Sequence, residues 1–523
     1  MSSLTPSHSP ATQPKAGTHP MIGIFAVLIG SIISTLAGRL TSFGLADIRG
    51  AVHAGFDEGA WISTVFTVSQ MLMGPLTVWL GATFGPRRVL LVSATVFTAA
   101  CIMLPLSPDL PTFIALYAVV GLSSGTFVPL TLSFVLRNLP AGLAVYGVAV
   151  YAMNSELSQN ISASIEGWYA DHWSWQWIFW QNAFITPLMA LCVWFGMPRE
   201  PIKYGNLRST DWMGLFYAGV GFSLLYAALD QGNRLDWLHS GLICGLLLAG
   251  VILVVAFVVH ELTAEQPLIN LRFVVTGNVP ILAVVLIMFR FVILSTALIV
   301  PQYLTTIQGF RGLQTGDVLL WVALPQFALA PLIAMTLRHV DARIPLALGF
   351  SLIGIACFMA SGLTRDWQSD DFLASQIVQA IGQSFGFTSL IWFMSQHLSP
   401  REALTFGAFV QTIRLFGGEL GVAFMQTFLR IREQIHSYLV GLHVTSGSYL
   451  TESRLGGYSA AVAHRSSGQT EAQARATGLL ARAVQTQANV LSYIDGFTVI
   501  GISTVGCLLL IIMLRPAPQE RAG

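Results

Sequence analysis

Met21-Ile-Gly-Ile-Phe-Ala-Val-Leu-Ile-Gly-Ser-Ile-Ile-Ser-Thr-Leu-Ala-Gly-Arg-Leu-Thr-Ser-Phe43 is an apolar run long enough to cross a bilayer as a helix, and its one charge is Arg39. An arginine at the centre of such a helix costs about 2.5–3.5 kcal/mol on insertion scales, so it needs a partner, a wet cavity or a route to the interface. Ser31, Ser34, Thr35, Gly38, Arg39 and Ser42 recur at spacings of three and four, which puts a small, polar stripe on one face. Other helices must cover that face.

Working outward, the rest of the chain supplies them. With 54% hydrophobic and 10% charged residues among 523, the sequence has too many long apolar segments for a water-soluble globule and reads as an all-α polytopic membrane protein. A net charge of +1 without a basic run argues against a large nucleic-acid surface, and no soluble stretch is large enough for a catalytic core. No GxxxxGK[ST] motif is present, which argues against a nucleotide-driven pump. The five cysteines lie in apolar segments without Cys/His clustering, so the sequence implies neither a metal site nor a cofactor.

Apolar spans are expected at 21–43, 60–81, 88–106, 112–136, 143–165, 176–196, 211–229, 239–259, 278–304, 316–337, 345–363, 372–395, 404–428 and 491–514, fourteen in all. Residues 1–20 and 515–523 read as cytoplasmic tails, the first of them disordered. Placing the N-terminus in the cytoplasm puts thirteen Lys and Arg in the cytoplasmic connections and four (Arg49, Arg234, Arg311, Arg365) in the short outer loops. That bias puts both termini inside and the long segment 430–490 outside. GATFGPRRVLL (81–91) and TLRHVDARIPL (336–346) are short basic connections at equivalent places if the chain is a six-span bundle (21–200), two inserted spans (201–272) and a second bundle (273–514). Two such halves around a midplane site are a common plan of secondary transporters.

Polar residues inside these spans are candidates for the site. Glu156, Gln159 and Asn160 share one face of the fifth span, and Gln376, Gln379 and Gln383 form a stripe on the twelfth that would suit a water-filled wall or packing between helices. Arg290 lies midway along the ninth span; Gln411 and Arg414 share a face of the thirteenth, with Glu419 nearby as a possible stapling partner. Asp47 and Glu166 stand near outer span ends. The segments Ile431–Leu439 and Glu471–Gln485 both show helical spacing around a Gly/Ser-rich middle, as a structured outer cap would.

Several stretches resemble the fourteen-span drug:proton antiporters of the major facilitator superfamily, EmrB/QacA type. They are Gly167-Trp-Tyr-Ala-Asp-His-Trp-Ser-Trp-Gln-Trp-Ile-Phe-Trp-Gln-Asn182, Leu229-Asp-Gln-Gly-Asn-Arg-Leu-Asp-Trp237, His260–Leu271 and Leu398–Glu402. The resemblance implies a major facilitator fold of two six-helix bundles plus two inserted helices. It also implies export of amphipathic or hydrophobic small molecules from a bacterial inner membrane in exchange for protons. The partners it implies are a periplasmic membrane-fusion adaptor and a TolC-like outer-membrane channel. Three departures stand out. Ala37 and Tyr117 occupy the positions where the family carries an Asp and an Arg. Only Leu80, Gly85, Arg87 and Arg88 survive from the loop motif G-x-L-A-D-R-x-G-R-K that governs the conformational change. Ile161–Glu166 replaces the fifth span's G-P-x-x-G-G ending.

These departures lead to an expectation that Arg39 takes over the lost arginine's role, with Glu156 as its carboxylate. Burial disfavours a charged carboxylate and a neighbouring guanidinium favours it, so such a pair can load and release a proton; a static ion pair is the simpler alternative. Tyr117, Ser34 and Thr35 join the expected cavity wall. Because Arg39 and Arg290 have no acid nearby on their own helices, organic anions such as aromatic or fatty acids, or siderophore-like metabolites, are an alternative cargo. A receptor that kept the fold and lost transport is another.

Overall fold

The computed structural model describes residues 20–139, 141–207, 210–264, 277–397, 402–466 and 468–516. The tail expected over 1–20 lies outside them except for Pro20, as does that over 515–523 beyond Pro516; so do parts of the motifs at His260–Leu271 and Leu398–Glu402.

Among the described residues fourteen long helices follow one another: α1 (Pro20–Phe43), α2 (Trp61–Phe84), α3 (Pro86–Met103), α4 (Leu110–Asn138), α5 (Ala141–His172), α6 (Trp177–Gly196), α7 (Trp212–Gly232), α8 (Gly241–Thr263), α9 (Val279–Thr306), α10 (Gly312–His339), α11 (Arg343–Ala360), α12 (Leu373–Ser395), α13 (Ala403–Gly441) and α14 (Gln469–Ile512). Among the described residues twelve of them are long and apolar enough to cross a membrane by themselves. The two that are not, α5 and α13, carry Glu156, Gln159 and Asn160 and Gln411, Arg414 and Glu419, and both pack against helices of the two bundles.

The helices α1–α6 pack on one another as one bundle and α9–α14 as a second; the bundles meet chiefly through α5 against α10 and α4 against α13. The inserted pair behaves unequally. The polar side of α7 lies on α2 and α13, while α8, apolar all round and mostly exposed, leans on α7.

Where bundles touch, side chains shrink. A Cβ at Gly407 of α13 would stand 2.5 Å from the Pro129 carbonyl oxygen of α4, closing the bundles at the end that holds both termini. A Cβ at Gly316 of α10 would meet the Ser164 backbone of α5 at 2.5 Å. Glycine at these places lets two backbones approach to packing distance.

The basic connections have parallel anchors. Gly85, at φ 84°, turns the chain into α3, and Arg88 then donates to the Glu200 carbonyl just past α6 at 2.9 Å. In the second bundle Arg343 donates to the Leu514 carbonyl just past α14 at 2.9 Å and clasps Asp341. Its donors hold the Asp341 carboxyl below the usual carboxylate range.

Both stretches of segment 430–490 with helical spacing are helical. Its two helical stretches are continuations of α13 and α14, 39 and 44 residues long, or about 58 and 66 Å at 1.5 Å per residue. They project as a hairpin beyond the roughly 30 Å apolar layer, with a short helix, Tyr449–Val462, across the tip. Asp495 ties the hairpin's base by accepting from both Arg432 and His436 at 2.6 Å.

Candidate functional site

A cavity of about 320 Å³ opens between the bundles, in the half away from the termini. Its walls come from α1, α2, α5, α7, α9 and α13, and three arginines face it: Arg39, Arg290 and Arg414.

Arg414 holds the floor. It donates to Gln411 on its own helix at 3.0 and 3.2 Å, to Thr35 of α1 at 3.2 Å and to Ser155 of α5 at 3.4 Å, so one guanidinium links three helices from both bundles. Glu419 is not its partner, because five residues along a helix lead to a different face. Glu419 instead stands near Tyr226 of α7, with which it shares the cavity wall.

Arg290 forms the cavity's buried ion pair. Its Nη1 stands 3.7 Å from Glu156 Oε1, with side-chain exposures of 11% and 2%. Gln159, its amide oxygen turned inward, accepts from both terminal nitrogens at 3.1 and 2.6 Å. The expected Arg39–Glu156 pair is therefore corrected: Glu156 belongs to α9's arginine. The reason is height. Arg414 places Thr35 level with Ser155, and Arg39 lies four residues, about 6 Å, further along α1. Arg39 reaches the second bundle, donating to the Ala297 carbonyl at 3.3 Å and lying over the Phe43 ring at 5.4 Å. Among the described residues no carboxylate stands within ion-pair distance of it.

Other expected residues divide sharply. Ser34, Thr35 and Gln159 line the cavity. Tyr117 does not: fully buried, it stacks on Phe66 at 4.9 Å and donates to the Ala37 carbonyl at 3.1 Å. Ala37 and Tyr117, the two positions that the resemblance singled out, thus touch through a neutral hydrogen bond. Gln379 and Gln383 bond Ser295 and Thr296 at 2.9 Å, at the start of a π-helical turn, Ser295–Ile299, in α9. Asn160 bonds the Glu156 carbonyl at 2.9 Å and Gln383 at 3.4 Å. Gln376 and Gln411 are buried with them. This stripe is packing between helices, not a wall: the space among Glu156, Gln326 and Gln383 is only about 10 Å³.

Glu166 is buried where α5 meets Gly312 of α10, and Asp47 is exposed on a short helix after α1; neither reaches the cavity. Gly85, Arg87 and Arg88 sit at the terminal end, away from it.

Tyr226 and Asp230 were not expected. They come from α7, one of the inserted helices, and with Glu419 they form an acidic wall facing the arginines. Asp230 is held by the Thr64 hydroxyl and by Gln231 at 2.9 Å. The signal was present in Leu229–Trp237, where an acid closes an apolar span, and in Glu419 inside another. No group of His, Cys, Asp and Glu able to hold a metal occurs among the described residues.

Comparison with known proteins names the class. The family model of the Major Facilitator Superfamily matches residues 27–422, and the chain belongs to that superfamily; it is a transporter, not an enzyme. Among curated proteins it is 24% identical over 427 residues to multidrug export protein EmrB of Escherichia coli K12, covering 81% of this chain and 83% of that one. It is 24% identical over 399 residues to fatty acid resistance protein FarB of Neisseria gonorrhoeae, covering 76% and 78%. The proton:xylose symporter XylE shares the fold with a TM-score of 0.55 at 14% identity, covering 95% of this chain and 96% of that one.

Proposed function

We propose that the chain is a secondary active exporter carrying amphipathic small molecules out of the cytoplasm, in exchange for protons, through the three-arginine cavity. One observation carries this reading: a buried carboxylate, Glu156, is ion-paired at the cavity's back to an arginine whose face is open to cargo. Protonating Glu156 frees Arg290 and removing the proton recaptures it, so proton and cargo compete for one guanidinium. Each proton entering releases about 2.3 kcal/mol per 100 mV of potential, enough to drive modest accumulation. The similarity to EmrB supports an inner-membrane location with both termini cytoplasmic, and assembly with a membrane-fusion adaptor and a TolC-like channel.

Arg39 favours a second reading in which the cargo is an organic anion. A guanidinium on the cavity wall with no carboxylate partner suits a carboxylate arriving from solution, and the fatty acid resistance protein among the relatives agrees with it.

Proteoliposomes with an imposed pH gradient test both. Parent protein should show gradient-dependent flux of an amphipathic dye or of a long-chain fatty acid, and Glu156→Gln should lose at least tenfold of it. Flux unchanged in Glu156→Gln would remove the coupling role, and no flux of cationic, neutral or anionic probes would favour a receptor.

A further inference from the structure

On the terminal side, far from the cavity, two guanidiniums share one indole. Arg87, in the first turn of α3, lies 4.9 Å from the Trp194 ring, and Arg199, just past α6, lies 5.4 Å from it. Arg87 is close enough to feel the charges of Arg199 and of Arg88. Among the described residues neither Arg87 nor Arg199 has a carboxylate within ion-pair distance; the nearby Glu200 carboxylate is taken by Arg137 at 3.4 Å. Arg87, Arg88 and Arg199 line a pocket of about 290 Å³ together with Glu200, whose carboxylate Arg137 holds, so the lining carries an excess of positive charge that a further anion would relieve.

What lies beneath decides the anion. Leu91 and Trp194 line both that pocket and a groove of about 560 Å³ running between α3 and α6 to Ile102. Its other walls are apolar or threonine residues such as Ala94, Ala99 and Leu191, and over eleven residues it extends roughly 16 Å. Pro187, inside α6, borders it and interrupts that helix's hydrogen-bond ladder. A soluble phosphate would use the pocket and leave the groove empty; a molecule with a phosphate head and acyl tails fills both. Basic pockets between spanning helices at the cytoplasmic leaflet commonly take anionic lipid heads.

We propose that Arg87, Arg88, Arg199 and Trp194, with the α3–α6 groove, form a binding site for one anionic phospholipid. The phosphate sits between the guanidiniums of Arg87 and Arg199, and a tail lies along the groove. The site bridges the connection between α2 and α3 to the segment after α6, so an occupied site ties those two parts of the first bundle together.

The test is native mass spectrometry of the full chain in nonionic detergent, titrated with phosphatidylglycerol or with phosphatidylethanolamine of the same acyl chains. Retention of phosphatidylglycerol should exceed that of phosphatidylethanolamine at least fivefold. The double variant Arg87→Gln/Arg199→Gln should lose that preference, and Ala99→Trp, which fills the groove and touches no charge, should lower retention of phosphatidylglycerol to a similar degree. Equal retention of the two lipids by the parent would overturn the proposal, as would unchanged retention in Ala99→Trp should the arginine variant not fold. Displacement of the lipid by equimolar glycerol 3-phosphate would show a phosphate site without a lipid.

Discussion

Two arginines face the same cavity and live by different rules. Arg290 is bound to Glu156 and Gln159; Arg39 has only a backbone carbonyl and a ring. The comparison teaches that the cost of a buried cation is met in two ways, by a counter-charge within the helix bundle or by a wet wall. Only the first makes each partner indispensable to the other.

The strongest way to break this contrast is Arg290→Met, which strands Glu156. Losing one partner of a buried pair costs about 3–5 kcal/mol, so the thermal unfolding midpoint in detergent should fall by many degrees. The double variant Glu156→Gln/Arg290→Met should recover at least half of the loss. Arg39→Gln should leave that midpoint nearly unchanged because no acid is stranded. If the cargo is an organic anion, its KM should rise about tenfold, equivalent to 1.4 kcal/mol, with cationic probes unaffected. Should Arg39→Gln destabilise as much as Arg290→Met, the distinction between the two arginines fails.

Tyr226→Phe is a milder probe of the acidic wall. It removes the hydroxyl that interacts with Glu419 and should cost about 1 kcal/mol in unfolding, with less effect in a Glu419→Gln background.

The smallest effect belongs to the Asp341–Arg343 clasp. Arg343 keeps the Asp341 carboxyl below its ordinary range, so the clasp's contribution is present above the unfolded value near 3.9 and is lost as pH falls through the lowered folded value. Asp341→Asn should therefore lower stability at neutral pH by roughly 0.2–1 kcal/mol and not at all at strongly acid pH, read from midpoints across that range.

Much of the plan was legible because it depends on composition and period. Most helix positions follow from apolar runs, and the basic connections 81–91 and 336–346 are anchored alike. Pairing was not legible. Glu156 and Arg39 are both buried and polar, yet partnership depends on height and rotation of helices far apart in sequence, and a few ångströms of α1 moved Arg39 out of reach. The glutamine stripe of α12 failed for a related reason: a wet wall and a bonded seam demand the same residues, and only the π turn of α9 decides between them. Asp230 was overlooked because an acid at the end of a span reads as a solvated cap until a neighbouring helix covers it.

The hairpin of α13 and α14 has a mechanical consequence. Because both helices run unbroken from the second bundle to a tip beyond the apolar layer, the tip is a lever fixed to that bundle. From Arg414 at the cavity floor to Gly441 near the tip the arm is about 40 Å at 1.5 Å per residue, so a tilt of some 10° between bundles would sweep the tip through roughly 7 Å. The hairpin is therefore a natural pointer: a pair of fluorophores, one at its tip and one on the short helix after α1, would turn each rocking step of the bundles into a readable change of distance.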